Sequence, residues 1–475
     1  MVGEHGFGRA GDRAAVRIFQ QHLFSPVVVL ALAEFCAFLV SPLIESRLVG
    51  GPGGWRADMV DASRAGGYAA IMCLAMAAMG LYQRRQRAAL LGILVRVIAA
   101  LVAGSAVVGL ISYLLPSLQL ARSILGGSMV ISLVLVIVAR TSFDRLASEN
   151  IFRRRVLVLG AGQRAQSISQ LRRRTDLSGF TIIGFAPAEG DRVVVPEARL
   201  VQIPGALEAF CRERDVDEIV VAMDDRRRSF PVHDLLECRV RGVEVTDLVD
   251  FLERETGKVR LDVLNPSWII FSAGFTRSGW RRFTDRCLDM GASIAILAFA
   301  WPFMLLTTIA IKLEDGLVAP VLYRQVRVGL EGRYFSVLKF RSMRMDAEQA
   351  GAQWAVQKDS RVTRVGALIR KTRLDELPQI LNVLKGDMSF VGPRPERPEF
   401  VAQFEERIPY YRERHFVKPG ITGWAQLCYP YGASEQDAAL KLEYDLYYVK
   451  NRSLLFDLVI LLQTVEVVLW GKGGR

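Results

Sequence analysis

Four apolar stretches crowd into the first 140 residues of this 475-residue chain, at 24–44, 66–82, 90–115 and 123–139. Each approaches the ~20 residues a helix needs to cross a bilayer. A lipid interior leaves such segments little choice but helix, because no water is present to satisfy open backbone groups. A helical bundle of four transmembrane spans is therefore expected over residues 1–145. A removable leader is a poor reading: a polar start of more than 20 residues precedes the first span, and no small-residue cleavage site stands out.

Basic residues at span ends set orientation. Eleven arginines (Arg9, Arg13, Arg17, Arg84, Arg85, Arg87, Arg140, Arg145, Arg153, Arg154 and Arg155) fall on the side of the N-terminus, against four (Arg47, Arg56, Arg64 and Arg122) on the other. The N-terminus and everything after residue 140 are expected in the cytoplasm. Glu34 and Arg96 lie inside spans, where an unpaired charge is costly. Either they pair or line a polar interior, or Arg96 snorkels while Glu34 faces a neighbouring helix.

Residues 150–265 read as an α/β, Rossmann-like module. The apolar run 156–159 leads directly into Gly160-Ala161-Gly162-Gln163-Arg164-Ala165, a G-x-G-x-x-A loop, with a helical pattern following. Strand patterns recur at 180–185, 218–222 and 243–249, alternating with helical composition, which implies a parallel sheet. The second strand lacks the acidic residue that would bind ribose hydroxyls, since it runs into Ala186-Pro187. A structural or oligomerising role and a nucleotide-sensing role both stay open, and a redox role is disfavoured. Asp224-Asp225 beside Arg226-Arg227-Arg228 reads as a solvated charged loop.

A further run, 290–311, carries no charge for 22 residues, with Trp301-Pro302 near its centre. Crossing the membrane there would strand the rest of the chain outside. Proline removes a helical hydrogen bond, and Arg277, Arg281, Arg282, Arg286 and Lys312 flank both ends, as suits two ends facing one anionic leaflet. The expectation is a broken, re-entrant helix over 288–311; a kinked full span is the alternative.

With 61 basic against 49 acidic residues the net charge is +12, which favours phosphate-bearing partners. Six scattered cysteines and four histidines make a disulfide scaffold or zinc site improbable on spacing, so any divalent ion is expected on carboxylates. The last third gathers the chemistry: QVRVG at 325–329, KFRSM at 339–343, RKTRLDELPQ at 370–379, GDMSFVGPRPE at 386–396, KPGITGWAQ at 418–426 and YDLYYV at 444–449. Within Asp375-Glu376 one carboxylate can attack phosphorus while its neighbour holds a hard cation. Arg370 and Arg394, the latter between two prolines, suit phosphate clamps because a guanidinium matches phosphate oxygens in pairs.

In this order the six motifs closely resemble the bacterial sugar transferases known as polyprenyl-phosphate hexose-1-phosphate transferases, over about residues 280–470. The four spans and the Rossmann-like module are similar to that family's long form, which initiates exopolysaccharide or O-antigen units. The resemblance implies a mostly helical monotopic phosphosugar transferase domain over 280–475 in a bacterial inner membrane. It implies transfer of a hexose 1-phosphate from a UDP-sugar to undecaprenyl phosphate, releasing UMP. By the family pattern Asp375 is the nucleophile of a covalent phosphosugar-aspartate and Glu376 holds Mg²⁺. Lys339, Arg341, Arg370, Arg394 and Asp445 fall among substrate or phosphate positions, and Pro302 matches the break in the re-entrant helix. Partners expected are UDP-sugar, undecaprenyl phosphate, membrane lipid and a second copy in a homodimer, with no nucleic acid. The chain departs from the pattern after Trp424-Ala425-Gln426, where Leu427-Cys428-Tyr429-Pro430-Tyr431-Gly432 replaces a common Asn-Gly-Arg. Two rival readings are a transferase that works by ternary complex without a covalent intermediate, and a non-catalytic membrane scaffold or sensor of a polysaccharide assembly machine.

Overall fold

The computed structural model describes residues 17–18, 21–22, 25–50, 62–82, 90–114, 122–148, 153–171, 179–226, 230–264, 268, 279–344, 361–429, 432 and 434–469. Arg9, Arg13, Arg56, Arg84, Arg85 and Arg87 of the orientation count, Arg277, Arg227 and Arg228 lie outside them. The chain divides into two compact units, Met1–Thr256 and Gly257–Arg475.

After a short antiparallel pairing of Arg17–Ile18 with Gln21–His22, the first unit holds helices α1 (Ser25–Gly50), α2 (Ala62–Ala78), α3 (Leu90–Leu114) and α4 (Arg122–Ser148). Among the described residues α1, α3 and α4 carry stretches long and apolar enough to cross a membrane: Val28–Leu48, Ile93–Tyr113 and Ile124–Phe143. The second expected span, 66–82, is displaced rather than shortened: the helix starts and ends four residues earlier. α2 has 17 residues and stops where Gly80 turns to φ +72°; Leu81 N–H then bonds the Met76 carbonyl at 3.0 Å, a glycine C-cap. Its small side chains let it sit inside the bundle, with Tyr68, Met72 and Met76 buried against Phe38, Leu101 and Val136. Glu34 pairs with Arg140, not Arg96, at 2.6 Å. Arg96 is buried and donates to the Met79 carbonyl.

A four-stranded parallel sheet follows in the order β2-β1-β3-β4, from β1 (Arg154–Leu159), β2 (Phe180–Ala186), β3 (Glu218–Val221) and β4 (Glu244–Asp247). Helices α5 (Gln163–Ser169), α6 (Leu207–Glu213) and α7 (Val232–Val240) connect the strands, and α8 (Leu248–Thr256) starts directly at the end of β4. The last strand is therefore shorter than the apolar pattern 243–249, whose final residues begin α8. The Asp224 loop is also more ordered than its charge suggested. Asp224 accepts from the N–H groups of Gln163 (3.0 Å) and Arg164 (2.9 Å). Asp191 accepts from Ala161 N–H and Asp224 N–H, each at 3.0 Å. A Cβ at Gly162 would overlap the Asp224 carboxylate.

In the second unit, after a 3₁₀ turn at Leu261–Val263, comes the 37-residue helix α9 (Gly279–Asp315), the fourth helix among the described residues that is long and apolar enough to cross a membrane. The break expected at Pro302 does not end it: proline removes one hydrogen bond, to the Ala298 carbonyl, and the turns on either side carry the helix through. Beyond α9 the unit is helical with two small β pairs. Strands β5 (Leu322–Val328) and β6 (Tyr334–Phe340) form an antiparallel hairpin, and β7 (Ser389–Val391) pairs in parallel with β8 (Gly420–Thr422). Helices α10 (Arg364–Lys371), α11 (Gln379–Lys385), α12 (Pro398–Arg407), α13 (Trp424–Cys428), α14 (Glu435–Asn451) and α15 (Leu454–Leu469) complete it. Its core joins Val337 of β6, Ile380 and Val383 of α11, Phe390 of β7, Tyr448 of α14 and Ile460 of α15.

Both ends of α9 are fastened to this same body. Near the start, Arg286 donates to the carbonyls of Val383 (2.6 Å) and Leu384, and Asp289 accepts from Ser389 Oγ and Phe390 N–H. At the finish, Asp315 pairs with Arg341 at 2.6 Å, and Glu314 accepts from the N–H groups of Arg364 and Val365, capping α10.

Candidate active site

The carboxylate pair is displayed by a sharp reversal after α10. Thr372 closes that helix, Arg373 adopts a left-handed conformation (φ +60°), and Leu374–Glu376 form one 3₁₀ turn. In a 3₁₀ turn residues three apart eclipse each other. Leu374 and Leu377 accordingly share one side and pack on the core clusters, leaving Asp375 and Glu376 off that side.

Three cations converge on one oxygen. Glu376 Oε1 lies 3.2 Å from Lys339 Nζ, 3.3 Å from Arg394 Nη2 and 3.8 Å from Arg373 Nη1. Burial alone would raise the Glu376 carboxyl, but the charges of Lys339, Arg394 and Arg373 overcome it and hold the group at about 2. Asp375 moves the other way: burial, then the adjacent Glu376 charge, pushes it above the usual carboxylate range, against Lys339, Arg373 and Arg370. Burial pulls the Lys339 ammonium down, opposed chiefly by Glu376. Two adjacent carboxyls held at different protonation strengths are the arrangement that separates a permanently ionised partner from a group doing chemistry.

Of the expected site residues, Asp375, Glu376, Lys339 and Arg394 come together, and Arg370, on the last turn of α10, acts on Asp375 through its charge. Arg341 instead pairs with Asp315. Asp445, 2% exposed, meets Arg414 at 2.8 and 3.1 Å rather than the carboxylate pair. Pro302 lies inside α9, away from this turn in sequence. Arg373 and Arg414 were not singled out from the sequence. Arg373 shares its motif with Asp375, whereas nothing in the pattern around Arg414 marks it.

Among the described residues no three His, Cys, Asp or Glu side chains are grouped to hold an ion. Mg²⁺ does not require such a cage: one or two carboxylates plus substrate phosphates and water commonly suffice. Glu376 fits that lesser demand, because it stays ionised and its three cations all lie nearest Oε1.

Residues 280–471 match the family model of bacterial sugar transferases, and residues 77–245 match that of a CoA-binding domain. The chain is similar to the UDP-N-acetylgalactosamine-undecaprenyl-phosphate N-acetylgalactosaminephosphotransferase of Aeromonas hydrophila (44% identity over 241 residues, 51% of this chain and 56% of that protein). It is also similar to the UDP-glucose:undecaprenyl-phosphate glucose-1-phosphate transferases of Xanthomonas campestris pv. campestris (32% over 371 residues, 74% and 75%) and Escherichia coli strain K12 (35% over 255 residues, 53% and 54%). The matched stretch thus spans a little over half the Aeromonas and Escherichia proteins and three quarters of the Xanthomonas one. The glycine loop does not fit a phosphate-bearing cofactor such as CoA, since the Asp224 and Asp191 carboxylates take the amides that would cradle it.

Proposed function

We propose, from the premise that this chain belongs to the bacterial sugar transferase family, that it moves a hexose 1-phosphate from a UDP-sugar to undecaprenyl phosphate. The products are undecaprenyl-diphosphate-sugar and UMP, the first membrane step of exopolysaccharide or O-antigen synthesis. The observation that carries this is the single turn presenting Asp375 beside a Glu376 fixed by Lys339, Arg394 and Arg373.

The chemistry follows from those positions. An Asp375 carboxylate oxygen attacks the sugar-bearing phosphorus of the UDP-sugar, the bridging P–O bond breaks, and UMP departs with the bridging oxygen. A phosphate oxygen of undecaprenyl phosphate then attacks the same phosphorus and frees Asp375. Charge spreads over the phosphoryl oxygens in both steps. Lys339, Arg394 and Arg373, already aligned around Glu376, neutralise it without reorganising. Glu376 would hold Mg²⁺, which when bound supplies further neutralisation of the diphosphate. Arg370, at the end of α10, favours the ionised form of Asp375 that attack requires.

The acceptor is a lipid, so the site must sit at the membrane surface. The reading places the catalytic unit on the cytoplasmic side of a bacterial inner membrane, with α9 entering the leaflet and returning. In support, the stretch of α9 from Arg286 to Asp315 would be roughly 44 Å long if straight, yet both of these residues hold the same globular body. The parallel sheet is read as a Rossmann-like module with a structural role, in keeping with its self-occupied glycine loop.

The test is to incubate the purified full chain with undecaprenyl phosphate, Mg²⁺ and, in turn, UDP-N-acetylgalactosamine, UDP-glucose and UDP-galactose. UMP release is expected with one of them, and donor labelled in the sugar should label the protein when acceptor is withheld. Asp375→Asn, nearly the same shape but a poor nucleophile, should lose both signals. Turnover in that variant at the wild-type rate would reject the covalent route.

A further inference from the structure

The segment that carries Arg394 is held in an unusual way. Pro393 and Pro395 have no N–H to donate, so ladder-type anchoring at those positions is closed. Instead four successive carbonyls each accept from outside the segment. Pro393 accepts from Gly420 N–H at 3.0 Å, and Glu396 from Val328 N–H at 3.0 Å. The two between them accept from buried or half-buried guanidiniums: Arg394 from Arg414 Nη2 at 3.0 Å and Pro395 from Arg327 Nη1 at 3.1 Å.

Each guanidinium is itself oriented. Arg414, 5% exposed, puts Nε and Nη2 on Asp445 Oδ2 and Nη1 on the Tyr411 hydroxyl at 2.7 Å. Arg327 puts Nε (3.1 Å) and Nη2 (2.6 Å) on Gln325 Oε1. A fork of this kind fixes direction as well as distance, which a lysine cannot do. Among the described residues the Arg394 side chain hydrogen-bonds Glu376 and is 41% exposed, so its placement depends strongly on the backbone beneath it.

We infer that Arg414 and Arg327 are positioning residues that set the Arg394 guanidinium against Glu376 and the transferring phosphate, and that Asp445 serves the reaction through Arg414 rather than by touching substrate. This rests on the reading of Arg394 as a phosphate clamp. It gives the YDLYYV motif a job: Asp445 aims the arginine that holds the strap.

The test is a double-mutant cycle on the full chain, read as kcat and KM for the UDP-sugar. A misplacement near 1 Å in such a site costs on the order of 100-fold. Arg414→Lys keeps the charge opposite Asp445 and loses the fork, and should lower kcat by about that factor while KM changes less than about 3-fold. Added to Arg394→Gln, the same change should lower kcat by no more than about 2-fold, because the group it positions is already gone. Asp445→Asn should likewise add little to Arg414→Lys. If Arg414→Lys fails to fold by thermal unfolding, Arg327→Lys, which holds the other side of the strap, is expected to give the same pattern. Losses that multiply in the Arg394→Gln background, or wild-type kcat in both single lysine variants, would overturn the proposal. Additive losses from Asp445→Asn and Arg414→Lys would overturn the part assigned to Asp445. Arg394→Gln measured alone keeps the two questions apart: wild-type turnover there rejects the clamp reading, whereas the cycle judges the strap alone.

Discussion

Arg373 is the least conspicuous member of the proposed catalytic cluster and the one on which its shape turns. Its left-handed backbone, costly for a residue with a Cβ, lets α10 stop and Asp375-Glu376 emerge within three residues. Arg373→Gly should preserve the turn and cost mainly the charge near Glu376, whereas Arg373→Val should also strain the turn. Activity in the glycine variant above that in the valine variant is the expected order. Removing Glu376 as Glu376→Gln leaves Lys339 half-buried without its anion and should lower stability by about 2 kcal/mol, besides lost turnover; thermal unfolding of the purified protein measures the first. His415, 8% exposed, gives a pH signature. Burial, then Arg414 and Arg412, pushes its imidazole down to about 3. A folded value below the unfolded ~6.5 means the stabilisation is complete above pH 6.5 and is lost as pH falls toward 3. By pH 5 the loss should reach about 2 kcal/mol, and His415→Gln should flatten that part of the curve. Asp375, Glu376 and Arg394 were visible in the sequence because adjacency and flanking prolines mark them, and Lys339 only because its motif resembles the family's. Arg414 was not, since its meaning lies in contacts with Arg394 and Asp445, 20 and 31 positions away.

Helices and strands were foreseeable where periodicity and length agree, and least so where a single turn decides. β1 to β3 fall within a residue or two of their apolar patterns, while β4 ends early because α8 takes its last residues. The end of α2 depends on Gly80 reaching positive φ, which apolar length does not encode. The glycine loop before α5 has the spacing of a phosphate cradle, yet its ligand is the chain's own Asp224, 60 residues on. Asp224→Ala should therefore destabilise the module by about 1–2 kcal/mol, a shift visible in thermal unfolding, and CoA should not raise the wild-type midpoint. For α9, cysteines introduced at Gly279 and Leu317 in a background stripped of native cysteines should both resist a membrane-impermeant thiol reagent in intact cells and react once the membrane is opened. Pro302→Leu restores the missing hydrogen bond and should expose the second position from outside in a fraction of molecules, with loss of activity. Labelling of position 317 from outside in the cysteine variant that keeps Pro302 would refute the re-entrant course.

On the proposed reading the whole chain joins a lipid-embedded part to a phosphate-handling one, and its net charge of +12 suits work against an anionic leaflet. The joint between them inside the second unit is short. Glu314, one residue from the end of α9, caps α10 through Arg364 and Val365, and α10 runs on to Arg373 and the carboxylate pair. The apolar helix and Asp375, the proposed nucleophile, are thus linked through this capped joint, one of several ties between α9 and the body around it. How deep α9 settles is set by the thickness of the hydrocarbon around it, at a modest cost per ångström of mismatch. Bilayer thickness then becomes a variable of the chemistry: in vesicles of phosphatidylcholines with progressively longer acyl chains, turnover should pass through a maximum, and Glu314→Gln, which slackens the joint, should broaden it.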